Sequence, residues 1–369
     1  MQLVADRMLL QYVVDVLRAN TLSLFYEKFC MRIFVTGGAG YIGSHTVLEL
    51  IRAGHEVCVG DNYRNSSPIA LDRVRRLANS DFHQIEVDIR DEQRLADALA
   101  SFKPDAVIHF AGLKAVGESN ELPLDYYDNN VVGSLRLLSA MDSVGCSRLV
   151  FSSSATVYGE PVYLPFNEAH PCAPTNPYGR TKYMVEQIIE DWCRARPLAS
   201  AALLRYFNPV GAHASGDIGE DPTGTPNNLM PFVTQVAVGR RERLSVFGAD
   251  YETGDGTGER DYIHVVDLAK AHLAAVEFIK AQSGCEAFNI GTGSPTSVLQ
   301  IIKEFEAVSG QSIPFQIVDR RPGDIATSVA GVAKAADKLN WRAVHSLEDI
   351  CRSSWDWQSK NPNGYQTLM

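Results

Sequence analysis

A doubly wound parallel α/β sheet with a smaller C-terminal α/β domain is the fold predicted for this chain of 369 residues. Three observations predict it. The apolar run Ile33-Phe34-Val35 leads straight into the glycine-rich stretch Thr36-Gly37-Gly38-Ala39-Gly40-Tyr41-Ile42-Gly43, as a buried parallel strand does before a tight turn. Strand-like runs then alternate with helical periodicities over roughly the first 200 residues, the pattern of a parallel sheet with crossover helices. Beyond them, segments rich in Gly and Pro become frequent, at 216–228, 248–258 and 320–324. Long loops of that kind usually carry binding residues. A first domain over 31–209 and a substrate domain over 210–369 follow, with some later segments returning to the first.

The glycine stretch is the first functional element. Its glycines fit Gly-x-Gly-x-x-Gly at 38, 40 and 43, and Gly-x-x-Gly-x-x-Gly at 37, 40 and 43. They allow a tight turn, close approach of backbone to a pyrophosphate, and close packing of helix on strand. The following helix, with Val47, Leu48, Leu50 and Ile51 apolar, offers phosphates its free N–H groups and positive dipole end. A bare glycine motif is weak, but here strand and helix flank it as the motif requires. The second strand, over 55–60, ends in Asp61-Asn62. That acid falls about 20 residues after the loop, where it bonds the adenosine ribose of NAD in a Rossmann-type fold. A carboxylate there repels a 2′-phosphate, so NAD is favoured over NADP. Val87-Asp88-Ile89 is a candidate adenine wall. The strand Val107-Ile108-His109-Phe110 ends in Ala111 and Gly112, small enough for a cofactor to lie against the backbone.

The chemistry points to Tyr178 and Lys182, four residues apart and so on one helix face. A phenol titrates near pH 10 and is a poor base at pH 7. A nearby ammonium lowers that value by favouring the phenolate. Upstream, the strand Leu149-Val150-Phe151 runs into Ser152-Ser153-Ser154. A tuned phenol and a Ser hydroxyl can together move a proton on and off a substrate alcohol. Alone, a Tyr-x-x-x-Lys spacing is usually an ordinary solvated helix face; the Ser-rich strand end and the glycine loop reverse that reading. A helix over 178–193 and a strand over 201–206 continue the alternation.

Composition excludes several classes. The net charge of −10 and the lack of a basic run argue against nucleic acid. An anionic substrate must therefore meet local arginines such as Arg240, Arg241, Arg260, Arg320 and Arg321. The seven cysteines are dispersed, without Cys-x-x-Cys, so neither a disulfide framework nor a zinc site is expected, and a reducing, cytoplasmic compartment fits. The nine histidines lack ligand spacing, and no metal is expected. No run reaches 18 apolar residues, so no membrane span is expected. Residues 1–30 read as an extension, or as a start assigned ahead of Met31; Asp6, Arg7 and Asp15 argue against a signal peptide. The end, Asn361-Pro362-Asn363-Gly364-Tyr365, is expected to fray.

Several runs carry a family resemblance. They include Phe110-Ala111-Gly112-Leu113-Lys114-Ala115-Val116-Gly117-Glu118-Ser119, Tyr126-Tyr127-Asp128-Asn129-Asn130 and Ser152-Ser153-Ser154-Ala155-Thr156-Val157-Tyr158-Gly159. Others are Leu204-Arg205-Tyr206-Phe207-Asn208-Pro209-Val210-Gly211-Ala212, Pro226-Asn227-Asn228-Leu229-Met230-Pro231 and Arg260-Asp261-Tyr262-Ile263-His264-Val265. From Met31 to about Tyr365 the chain resembles the UDP-glucose (UDP-galactose) 4-epimerases of the extended short-chain dehydrogenase/reductase family. The resemblance implies an NAD-dependent isomerase of galactose metabolism that acts on UDP-glucose and UDP-galactose through a transient 4-keto sugar, and it implies a homodimer.

By that resemblance, Tyr178 is the base and acid at the sugar 4-hydroxyl and Ser154 assists. Lys182 holds the nicotinamide ribose and keeps the Tyr178 pKa low. Gly37, Gly40, Tyr41, Ile42, Gly43, Asp61, Asn62, Asn65, Ser66, Asp88, Ile89, Phe110, Ala111, Gly112, Lys114 and Asn129 line the NAD site, with Tyr206 and Phe207 beside the nicotinamide. Asn208, Asn228, Leu229 and Phe247 hold the UDP-sugar; Arg260 and Arg321 grip the diphosphate; Asp324 faces the nucleotide ribose. Ser328 borders the sugar, a position that is Tyr in some members. Val329-Ala330-Gly331 departs from the common Trp-Ala-Asp, which leaves the choice between hexose and N-acetylhexosamine open. Two other readings compete. A nucleotide-sugar 4,6-dehydratase needs an acid pair where this chain has Ala155-Thr156-Val157. A non-catalytic NAD sensor would gain nothing from Ser154, Tyr178 and Lys182.

Overall fold

The structure, a computed structural model, describes residues 30–365 apart from 223, 225, 227 and 322. The expected extension therefore lies outside the described residues except for Cys30. The strands are β1 (Arg32–Thr36), β2 (Glu56–Asp61), β3 (His83–Glu86), β4 (Ala106–His109), β5 (Arg148–Ser154), β6 (Ser200–Tyr206) and β7 (Asn208–Val210). They continue as β8 (Leu244–Phe247), β9 (Glu259–His264), β10 (Gly284–Ile290), β11 (Pro295–Ser297), β12 (Phe315–Val318) and β13 (Thr327–Ser328).

Seven strands form one sheet in the order β10-β6-β5-β4-β1-β2-β3, every pairing parallel. Side chains of β1 alternate between its faces. Ile33 and Val35 join Val47, Leu48 and Leu50 of the helix Tyr41–Arg52. Phe34 joins Leu95, Leu99 and Phe102 of the helix Glu92–Phe102 on the other side. Burial of both faces is why these strands read as continuous apolar runs. Strand order reverses between β1 and β4, and ligands of such sheets bind at that switch point.

β10 returns to the first sheet from beyond residue 210, through the helix Val265–Ala281, which packs on the helix Tyr41–Arg52 and on β5 and β6. The other strands build the smaller part. β9 pairs with β7, β11 and β13, and β8 pairs with β12. Val233, Leu244, Val246, Ile301, Phe305 and Ile350 form its core under the helices Leu229–Ala237, Val298–Ser309 and Leu347–Lys360. The chain end does not fray at Tyr365. Asn361 and Tyr365 are 8% and 7% exposed, because Arg73 and residues 219–221 supply partners that the local sequence lacks. Among the described residues no helix is long and apolar enough to cross a membrane.

Candidate active site

The helix Pro177–Arg194 builds the reactive end. Asn176 caps it, accepting the Gly179 N–H at 2.9 Å, and Pro177 occupies its first turn. Gly179 lets the helix approach the turn Ala155–Val157 that follows β5, since a Cβ there would come within 2.9 Å of the Thr156 carbonyl oxygen. Residues 178, 182 and 186, one turn apart, then face the Ser-rich end of β5. Tyr178 stands beside Ser154. The Lys182 Nζ donates to the Ser152 carbonyl at 2.8 Å. Glu186 accepts from the Ser153 hydroxyl at 2.5 Å.

The Ser154 hydroxyl is oriented by its neighbours. The Thr156 N–H and Oγ–H both donate to it, at 3.2 and 3.0 Å. Those bonds use its two acceptor positions and leave its own proton free to donate. Toward Tyr178 that donation pulls the phenol pKa down, but burial outweighs it and pushes the phenol well up. Lys182 lies near but does not touch the phenol. Its ammonium lies 6.0 Å from the phenol ring centre, turned to Ser152 and over Phe151. Burial pulls Lys182 itself down to about 8, with Glu186 opposing.

Glu186 went unnoticed in the sequence. Arg205 of β6 grips it with three bonds, at 3.0, 3.1 and 2.6 Å, and both side chains are buried. Arg205 also reaches the Tyr158 hydroxyl, which donates to Asn289 at 2.6 Å. The available signals were the spacing of Glu186 from Lys182 and a lone Arg in an apolar strand.

From this end a cavity of about 440 Å³ runs to the glycine loop. Gly37, Gly40, Tyr41, Ile42, Gly43, Asp61, Asn62, Asn65, Ser66, Ile89, Phe110, Ala111, Gly112, Lys114, Asn129, Tyr178, Lys182 and Tyr206 all line it. Gly37 has φ +70°, and a Cβ there would lie 2.7 Å from the Ala111 nitrogen, so the loop is pressed on the end of β4. Asp61 accepts from the N–H groups of Ala39 and Tyr63 and from the Ser66 hydroxyl, each at 2.9 Å, tying the loop to the end of β2. Asn129 enters through the π-helical turn Tyr127–Val132, a distortion frequent at functional sites. Asp88 does not line the cavity; it holds Asn62 and Arg90, the guanidinium pulling its carboxyl well down. Phe207 packs instead with Tyr158 and Phe166.

These residues fit NAD. No side chain caps the helix Tyr41–Arg52 at Gly40, so its first-turn N–H groups remain available to phosphates. The carboxylate of Asp61 and the apolar Val87 and Ile89 line the same cavity.

Most residues predicted to hold the UDP-sugar gather elsewhere, on the smaller part. Asp324 meets Arg321 at 2.8 Å and Arg260 at 3.7 Å. The Arg321 guanidinium lies 4.8 Å over Phe247, and Ser328 pairs with Arg260 across β13 and β9. Asn208 begins β7, and Leu229 opens the helix that follows Asn228. Asn228 lines the 440 Å³ cavity and donates to Glu220 at 2.8 Å; Glu220 also holds Lys114 at 3.1 Å. Gly219, Glu220, Asp221, Pro222 and Tyr365 also line the cavity and were not singled out as site residues in the sequence, although the Gly- and Pro-rich run at 216–228 marked the loop of the first four.

With this geometry, comparison with known proteins is decisive. The profile of the NAD dependent epimerase/dehydratase family matches residues 33–291. The chain belongs to that family. A UDP-glucose 4-epimerase of Bacillus subtilis (strain 168) is 56% identical over 337 residues, 91% of this chain and 99% of the relative. The structure of UDP-glucose 4-epimerase from Bifidobacterium longum in complex with NAD+ and UDP superposes with a TM-score of 0.88 at 50% identity, covering 90% of this chain and 99% of that one. The Stenotrophomonas maltophila enzyme with bound NAD and formylated UDP-arabinopyranose also gives 0.88, at 48% identity and the same coverage.

Proposed function

We propose that Tyr178 is the general base and acid of a sugar 4-epimerase, with Ser154 and Lys182 as its partners. The activity is the reversible 4-epimerisation of UDP-glucose and UDP-galactose, and NAD is the cofactor. The observation that carries the assignment of roles is that Tyr178, with Ser154 beside it, and Lys182 line one end of a cavity whose other end is the glycine loop. NAD, when bound, accepts the hydride of the sugar C4 and returns it. Tyr178 takes the 4-hydroxyl proton and later restores it. The Ser154 proton, left free by Thr156, stabilises the phenolate. Lys182 supplies the positive charge of the site.

Arg260 and Arg321 grip the substrate diphosphate, releasing Asp324 toward the nucleotide ribose, while Asn208, Asn228, Leu229 and Phe247 hold the remainder. Tight binding remote from a loosely held sugar lets the intermediate turn over between hydride steps. Turnover of UDP-galactose by purified protein without added NAD tests this reading. A protein free of nucleotide and dependent on NADP would refute it.

Ser328 supports a wider substrate range. Its hydroxymethyl group leaves room where a Tyr ring would meet a sugar N-acetyl group, so UDP-N-acetylglucosamine and UDP-N-acetylgalactosamine are substrates too. Ser328→Tyr is expected to lower N-acetylhexosamine turnover at least about tenfold relative to UDP-galactose. Wild-type protein inert on UDP-N-acetylgalactosamine would end the argument.

The protein is a homodimer in this proposal. Leu124, Leu135 and Met184 are exposed on Pro123–Tyr126, Gly133–Ser143 and Pro177–Arg194, and the last of these packs against Pro123–Tyr126. Sedimentation as a monomer at micromolar concentration would refute that. The free thiols of all seven cysteines support a cytoplasmic setting.

A further inference from the structure

The part of the cavity wall contributed by residues 219–222 is held by the far end of the chain. The Tyr365 hydroxyl donates to the Gly219 carbonyl at 3.2 Å and accepts the Gly219 N–H at 3.1 Å. The Tyr365 N–H donates to the Asp221 carboxylate at 2.8 Å. The Trp357 Nε1–H donates to the Glu220 carbonyl at 3.1 Å. Glycine is required on both sides of the junction. A side chain at Gly219 would overlap the Trp357 indole, and one at Gly364, where φ is +73°, would overlap the Asp221 carboxylate.

A third segment locks these two. Arg73 lies on the helix Pro68–Ala78, just after the loop that carries Asp61, Asn62, Asn65 and Ser66. Its guanidinium sits 5.1 Å from the Tyr365 ring centre and 5.6 Å from that of Trp357, a cation–π arrangement. It also donates to the Asn361 side chain at 2.6 Å and to the Asp217 carbonyl at 2.9 Å. Arg73 and Trp357 do not line the cavity, whereas Tyr365 does.

We propose that Tyr365, Trp357 and Arg73 form a clasp that holds residues 219–222 across the cofactor cavity and sets how long NAD stays bound. The proposal rests on NAD occupying that cavity. Epimerisation returns the cofactor to its starting state in every cycle, so release of NAD serves no step, and slow release keeps the enzyme loaded. The clasp joins the wall mainly through hydrogen bonds and ring contacts, which can part without opening the main core. The same strap carries Glu220, which meets Lys114 and Asn228. Its loosening therefore reaches both the cofactor side and Asn228, the residue just before the helix Leu229–Ala237.

The test loads wild type, Tyr365→Ala and Arg73→Met with NADH. Release is followed as loss of bound NADH fluorescence during a chase with excess NAD, and thermal melting at saturating NAD reports folding. Both variants are expected to release NADH at least about tenfold faster than wild type, the scale of losing one or two hydrogen bonds. Arg73→Met is the sharper probe, because it acts on NADH only through the clasp. Release within about twofold of wild type from a folded Arg73→Met protein overturns the proposal, whatever Tyr365→Ala does. If Tyr365→Ala does not fold, Arg73→Met and Tyr365→Phe decide by the same rate. A wild type that binds neither NADH nor NAD would remove the reading of the cavity itself.

Discussion

Replacing Glu186 by Gln removes one charge from the interior and leaves the other. Arg205 would keep its positive charge, since a guanidinium does not shed its proton in proteins. Three bonds join the pair. A bond to a charged group contributes about 1.5–3 kcal/mol and a neutral one about 0.5–1.5. Gln has one acceptor oxygen, so at least one of the three bonds is lost outright, each survivor loses about 1 kcal/mol, and the set loses roughly 3–5 kcal/mol. Stranding one member of a buried pair costs about 3–5 kcal/mol by direct precedent. The two routes agree on a loss of about 3–5 kcal/mol, a large share of the roughly 5–15 kcal/mol that holds a protein folded. Urea denaturation at one fixed NAD concentration measures it, because bound cofactor itself shifts stability. Glu186→Leu combined with Arg205→Met should be more stable than the sum of the single losses by at least about 2 kcal/mol. A Glu186→Gln protein within about 1 kcal/mol of wild type, or a strictly additive double variant, would refute the reasoning.

Tyr178→Phe is expected to keep NAD through purification and to lower turnover at least about 100-fold, the scale of lost acid–base catalysis; near-normal turnover would remove Tyr178 from the chemistry. Lys182, with its pKa drawn down to about 8, makes stability rise with pH. Above pH 8 the unfolded chain holds the proton that the folded protein has released, so about 2–3 kcal/mol is gained between pH 8 and 10. Lys182→Met should flatten that rise in urea titrations. On the acid side, burial pulls His109 to about 3 and His272 to about 4. The unfolded chain therefore takes up protons first as pH falls through 6.5, and stability declines. At pH 5 each contributes a loss of about 2 kcal/mol relative to pH 7. His272→Leu should remove its share, and an unchanged acid limb would show that the ring is not buried neutral.

What was legible in the sequence is what short stretches of chain encode. The glycine loop, Asp61 and the Ser154, Tyr178 and Lys182 set each sit on one strand end or one helix turn, and the structure brings them to the same cavity or its edge. What was not legible depends on distance across the fold. Glu186 finds Arg205 only because the helix Pro177–Arg194 packs across β5 and β6. Tyr365 was expected to fray with the rest of 361–365; its anchors, Arg73 and Gly219, lie far back along the chain. The direction of the Lys182 ammonium was hidden for a related reason. Spacing puts an ammonium near a phenol, but burial and the Ser152 carbonyl, which set its direction, are properties of the folded protein.

The return of β10 to β6 governs how the chain must fold. β6 completes its outer hydrogen bonds only when a segment some 80 residues further on arrives. Until then it offers an open parallel edge rich in Ala and Leu, the kind of surface that recruits strands from other molecules. A fragment cut near residue 210 would keep the glycine loop and Tyr178, yet carry that edge permanently. Such a fragment is expected to aggregate rather than bind NAD. On this reasoning the two parts of this enzyme are not expected to fold separately.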